Sequence, residues 1–183
     1  MQPLTDEAVL AAQQGDPIGM RTVYLSLAPS VLGYLTGKGV DDPEAVTQHV
    51  FLALFRQLSA FRGGQQAIRT LTFAIAHARL VDHIRRSICT PETSEYDPTQ
   101  DPRSSTSAEN QVLDSFEHSD IALVLEQLGD DQREVLLLRI VADLSVEQVA
   151  TIMGRSVGAT KQLQRRALNT LRDLVTARDG LRS

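Results

Sequence analysis

Apolar residues recur along this chain at intervals of three and four, the spacing of one helix face, and no run alternates with polar residues as a half-buried strand requires. Leu4, Ala8, Val9, Ala11 and Ala12 predict a short first helix closed by Gly15-Asp16-Pro17. A second runs from about Ile18 to Leu35 through Tyr24, Leu27, Val31 and Leu32, with Pro29 as a candidate kink. After the loop "TGKGVDDP", Asp42 is placed to cap a third helix with Pro43 at its first position. Its apolar stripe is Val46, Val50, Leu54 and Leu58, and it ends near Phe61. "RGGQQ" interrupts the pattern, and a fourth helix from about Ala67 to Arg86 sets Leu71, Ile75, Ala78 and Val81 or Asp82 near one face.

Three further helical patterns follow a break: Ile121 to Leu128, Asp131 to Ala142, and a closely spaced pair in "SVEQVATIMGRSVGATKQLQRRAL" at 145–168. In that pair Ser145 and Gln148 form a capping box, and Val146, Val149, Ala150 and Met153 form the stripe to be buried. Gly154 supplies a positive φ to stop the helix, and Ser156 caps the next one. Two helices joined by a short glycine-containing turn are the helix-turn-helix signature.

Composition sharpens this. At 183 residues and 42% apolar content the chain suffices for one ordinary domain or two small ones. The total charge of −5 does not suggest a nucleic-acid binder, but it is unevenly placed. Residues 90–120 hold eight carboxylates against Arg103, a net of −7, which leaves +2 for everything else. The stretch "TPETSEYDPTQDPRSSTSAEN" is also rich in Pro, Ser and Thr and has almost nothing to bury, so it reads as a linker. The expectation is an all-α protein of two small helical domains joined by an acidic flexible linker. The N-terminal domain spans 1–88, the linker 89–117, the helix-turn-helix domain 118–177 and a tail 178–183.

Between Gly154 and Arg172 stand five basic residues and no acidic one. On a helix, Lys161, Arg165 and Arg172 align along one stripe and Gln162, Arg166 and Asn169 along its neighbour, with Leu163, Ala167, Leu171 and Leu174 opposite. That division suits a recognition helix in a major groove. Gln162 and Arg166 can bond base edges bidentately, while Arg155, Lys161 and Arg165 meet phosphates and Ser156 joins them at the helix start. A basic solvated face is the blander alternative.

Two longer stretches carry a family resemblance. "DDPEAVTQHVFLALFRQLSAFRG" at 41–63 with "IRTLTFAIAHARLVDHIRR" at 68–86 resembles the core-binding and −10-reading domain of sigma-70-family transcription initiation factors. "LGDDQREVLLLRIVADLSVEQVATIMGRSVGATKQLQRRALNTLRDL" at 128–174 resembles that family's −35-reading domain. Order and spacing are similar to the compact extracytoplasmic-function (ECF) group. The resemblance implies that Asp41, Asp42, Glu44, Val46 and Gln48 dock on the β′ clamp helices of core RNA polymerase, although Ala45 and His49 replace expected carboxylates. It implies a pocket for a flipped −10 base in the turn Phe61 to Gln66, with Arg62, Arg69, His77, Arg79, Arg85 and Arg86 along the opened strand. Phe51 and Phe55 read as core. In the recognition helix the run Gly158 to Gln164 departs from the family pattern, Leu163 standing where an Arg is usual, so the −35 sequence read should differ.

The implied partners are core RNA polymerase through its β′ clamp helices and β flap, promoter DNA, and an anti-sigma factor. The acidic linker would thread toward the polymerase active-site cleft, or serve only as a solvated tether. Rivals are a free-standing helix-turn-helix regulator binding DNA as a dimer, and an interaction module that does not read DNA. No enzyme is expected: His49, His77, His83 and His118 show no metal spacing with Cys89, and phosphate loops and nucleophile elbows are absent from the sequence. No cofactor or metal is expected either. The single cysteine and the lack of a leader-like or membrane-length apolar run imply a cytoplasmic protein with no membrane insertion.

Overall fold

The computed structural model describes residues 3–89 and 120–181, and within them the regular elements are all helical. The expected linker, apart from Cys89, lies outside the described residues, as does His118. Helices α1 (Asp6–Gln13), α2 (Pro17–Gly37), α3 (Pro43–Gln57) and α4 (Gln65–Cys89) make the first half. The second holds α5 (Asp120–Glu126), α6 (Asp130–Leu136), a π-helical turn (Leu137–Val141), α7 (Val146–Ile152) and α8 (Val157–Leu181). None of the described helices is long and apolar enough to cross a membrane.

Local chemistry explains the boundaries. Thr5, Asp16 and Asp42 accept from the backbone N–H of Ala8, Gly19 and Ala45 at 3.2, 2.7 and 2.9 Å, satisfying donors that a helix start leaves open. Pro17 and Pro43 follow their caps at a position where a missing N–H does no harm. Pro29 lies inside α2, which nonetheless continues to Gly37. The start of α4 is capped from a distance: Asp6 of α1 accepts from the Gln65 N–H at 2.7 Å.

The core of the first half is the meeting of α2, α3 and α4, filled by Leu27, Leu35, Leu54, Leu58, Ile68, Phe73 and Leu80. Phe51 is buried there as expected, and Phe55 packs on its edge at a ring separation of 5.9 Å. Two expectations need correction. Helix α3 stops at Gln57, short of Phe61. In α4 the buried stripe is Ile68, Thr72, Phe73, Ala76 and Leu80, rotated from the one expected: Leu71 and Ile75 are half-buried and Ala78 is exposed. Thr72 can be inward because its hydroxyl bonds the Ile68 carbonyl at 2.7 Å, which removes the penalty for burying it.

The pattern expected as one helix from Asp131 to Ala142 is in fact α6 continued by the π turn. Its widened geometry is seen in the Ala142 N–H bonding Leu137 O at 3.1 Å. Asp143 then turns the chain at φ +51°, a left-handed conformation that a short polar side chain tolerates. Beyond it the capping box of Ser145 and Gln148 is present in both directions, at 2.7 and 3.3 Å.

The two halves are docked together. Helix α2 meets the π turn and α4 meets α7, so the buried residues of both halves form one continuous cluster.

Candidate nucleic-acid interface and the junction between the halves

The helix-turn-helix is built as the sequence implies. Gly154 adopts φ +62°, and Ser156 Oγ accepts from the Ala159 N–H at 3.2 Å to start α8. Thr160 and Ala167 are buried on the inner face of α8, with Leu163, Leu171 and Leu174 packed against the core, so its opposite face is turned outward. Lys161, Gln162, Arg165, Arg166, Asn169 and Arg172 are all exposed on that face. Leu163, which replaces the family's usual Arg, is half-buried against the core and adds packing instead of charge. Arg155 pairs with Asp131 at 2.5 Å, both partners substantially exposed; such a surface pair contributes at most about 1 kcal/mol and can be exchanged for a phosphate.

The residues expected along the −10 strand divide into two groups. Arg79 and Arg85 are exposed on α4, and Arg86 follows within the same helix. Arg62 is exposed in the turn, where its guanidinium donates to the carbonyls of Ser59 and Phe61 at 2.8 and 2.9 Å. Asp6 and Gln13 of α1 hold this turn in place, the latter donating to Gly63 O at 3.0 Å. Arg69 and His77 instead face the second half: Arg69 donates to Ala142 O at 3.3 Å, and His77 Nδ1 lies 2.6 Å from Glu134 Oε1. In this arrangement both are half-buried, whereas Arg62, Arg79 and Arg85 are exposed.

The residues expected to dock on polymerase lie at the start of α3. Asp41, Asp42, Glu44 and Gln48 are exposed and Val46 is half-buried. Leu52, 54% exposed one turn beyond Gln48, extends this strip with an apolar side chain that sequence reading passes over.

The junction itself is not legible in the sequence. Glu134, inward on α6, is held by three side chains of the first half. Tyr34 donates to Oε1 at 2.9 Å, His77 meets the same oxygen, and Lys38 Nζ lies 3.4 Å from Oε2. Beside this cluster Leu137 and Val141 lie over Gly37 and Gly33 of α2. A Cβ at Gly37 would come within 2.7 Å of Leu137 Cδ2, so only glycine allows this approach without displacement. Gln148, already in the capping box, also donates to Thr70 of α4 at 2.6 Å. A polar cleft of about 430 Å³ opens here, lined by Gln66, Arg139, Asp143, Leu144, Ser145 and Gln148. The spacing of four in Tyr34/Lys38 and Gly33/Gly37 is a usable signal, but by itself it points to no partner.

Burial pushes the Glu134 carboxyl up, but the His77 hydrogen bond, the Lys38 charge and the Tyr34 hydroxyl outweigh it and hold it below its ordinary value. Tyr34 is shifted well upward by burial and by the adjacent carboxylate, so it remains a donor. A carboxyl lowered in the folded state stabilises it above the unfolded pKa and loses that contribution as pH falls through the folded one. Acid should therefore weaken the fold through this group. In urea titrations across the acid range, the falling limb of the midpoint-against-pH curve should flatten in Glu134→Gln; an unchanged limb would assign it to other carboxylates.

Among the described residues no group of three or more His, Cys, Asp or Glu could hold a metal ion. Residues 124–173 match the family model described as sigma-70, region 4. The chain is 30% identical over 186 aligned positions to the ECF RNA polymerase sigma factor SigD of Mycobacterium tuberculosis, covering 94% of this chain and 84% of that one. It is 28% identical to the ECF RNA polymerase sigma factor BldN of Streptomyces coelicolor, covering 92% of this chain but only 65% of BldN. Two solved structures share the fold at 20% identity. The sigma factor RpoE bound to the anti-sigma factor NepR from Bartonella quintana gives a TM-score of 0.64, over 85% of this chain and 96% of that one. CnrH bound to the cytosolic domain of CnrY gives 0.62, over 94% and 97%. With a helix-turn-helix that matches the sigma-70 region 4 model and near full-length likeness to SigD, the chain belongs to the ECF RNA polymerase sigma factors of the sigma-70 family.

Proposed function

We propose that this protein directs core RNA polymerase to promoters in the cytoplasm. The observation that carries this is the outward face of α8: four long cations and two amide side chains, all exposed, on a helix seated by a capped helix-turn-helix. Gln162 and Arg166 read bases of the −35 element, and Arg155, Lys161 and Arg165 hold its phosphates. The first half, about 1–88, reads and opens the −10 element through the Phe61–Gln66 turn and the α4 cations. Asp41, Asp42, Glu44, Val46 and Gln48 engage the β′ clamp helices, and the second half, about 118–177, meets the β flap. Each half makes few base contacts, so core polymerase raises the effective concentration of one element once the other is bound. An anti-sigma factor is the fitting regulator, since RpoE and CnrH of like fold are each held by a protein partner.

Size-exclusion chromatography with bacterial core polymerase tests this. A stoichiometric complex displaced by excess primary sigma factor is expected, followed by run-off transcription from the promoters so identified. Elution as a dimer indifferent to polymerase would favour the free-standing regulator.

A further inference from the structure

Resting on the reading of α8 as the −35 helix, we propose that Lys161 is an acylation site. Transfer of an acetyl group to its amine, from an acyl phosphate or an acyl thioester, turns down −35 binding and leaves polymerase docking intact.

The chain has 16 arginines and only two lysines, Lys38 and Lys161. That imbalance matters because the two cations differ in chemistry. A guanidinium keeps its proton and offers no lone pair, whereas an ammonium that loses its proton is a nucleophile and a substrate for acylation. The fold then separates the two lysines. Lys38 is enclosed, its side chain 6% exposed, with its ammonium 3.4 Å from Glu134 Oε2 and donating to Asp130 O. Lys161 is exposed on the outward face of α8, in the first turns of the recognition helix. It is thus the one lysine that an acyl donor reaches without unfolding the protein.

The consequence is confined to one function. The cations placed along the −10 strand, Arg62, Arg79, Arg85 and Arg86, are all guanidinium groups, and the strip at the start of α3 carries no amine. In the reaction an amide C–N bond forms at Lys161 and the acyl C–O or C–S bond breaks. Phosphate or thiol leaves with one of the two protons shed by the ammonium, and water takes the other. The product is neutral and no longer pairs with a phosphate. A second effect has the same sign. The exposed Glu147 carboxyl, at the start of α7, is held below its ordinary value by its own backbone, by the Ser145 hydroxyl and then by the charges of Lys161 and Arg139. Acylation removes one of those balancing cations and leaves a less opposed carboxylate beside the DNA-facing helix.

The test treats the full-length protein with acetyl phosphate and, separately, with acetyl-coenzyme A, and maps the modified side chains by peptide mass spectrometry. Lys161 should be labelled in the folded protein by one or both donors, which identifies the source, and Lys38 only after unfolding in urea. Failure of both donors at Lys161, or labelling of Lys38 ahead of it, would overturn the site. Binding to a labelled mixed-sequence duplex at low salt should weaken about tenfold on acetylation, and the slope of log K against log salt should become shallower by about one unit. Lys161→Arg, compared before and after the same treatment, should show no change. Equal weakening in this variant, or none in the labelled parent, would overturn the regulatory role. Co-elution of the acetylated parent with core polymerase should persist, and its loss would overturn the restriction to −35 binding. Failure of the untreated parent to bind polymerase would instead overturn the initiation-factor reading, because the labelling and the duplex titration require no polymerase.

Discussion

Replacing Gln162 and Arg166 together by alanine is expected to lower run-off transcription from a cognate promoter by about a hundredfold or more. Each side chain that bonds a base edge bidentately contributes about 1–3 kcal/mol of discrimination, and the two sit one turn apart on the same exposed face. Folding should be nearly unaffected, because both are on the solvent side of α8 and alanine is the best helix former. Arg165→Ala and Lys161→Ala provide the contrast. As phosphate contacts they should weaken binding to all sequences alike and reduce the salt dependence of log K by about one unit each. If the four substitutions change affinity and salt slope in the same way, the division of α8 into a base-reading and a phosphate-holding stripe is wrong.

The largest effect on stability is expected at Phe73. Its ring is fully buried on α4 and meets the Tyr34 ring edge-on, with centroids 5.9 Å apart. Phe73→Ala removes that contact and leaves a cavity, at a cost of about 3–5 kcal/mol. In a chain of this size that lowers the thermal midpoint by roughly 10 °C, measurable by circular dichroism in the far ultraviolet. The damage should spread to the junction, because Phe73 supports the phenol that donates to Glu134. Phe55→Ala, on a half-buried ring at the edge of the same core, should cost clearly less. Equal losses would mean that Phe73 is less tightly packed than its burial indicates.

Part of the fold is legible in the order of residues alone. Caps at Asp42-Pro43, Ser145 and Ser156 place three helix starts, because an N-cap is a contact between residues three apart and needs no tertiary partner. The exposed face of α8 is equally readable, since helical geometry alone separates Arg165 and Arg166 from Ala167. Reading fails where a choice depends on neighbours. The stripe of α4 is misplaced by periodicity because Thr72 looks polar in sequence, yet a backbone bond lets it turn inward and carry Phe73 and Ala76 with it. The π turn reads as ordinary helix because Leu137, Leu138 and Val141 have the same apolar character in either winding.

The sequence by itself determined the helical class, the capped helix-turn-helix with its basic face, the concentration of negative charge between the two halves, and the family resemblance. All are consequences of interactions spanning a few residues, or of simple composition. Only the tertiary structure decided that the halves dock and through which groups. Glu134 lies a hundred residues from Tyr34 and ninety-six from Lys38, and nothing local marks it apart from any other carboxylate on a helix. Its partners are set by how α6 and α2 pack, and that packing turns on the missing side chain of Gly37, a feature that acquires meaning only when Leu137 fills the space.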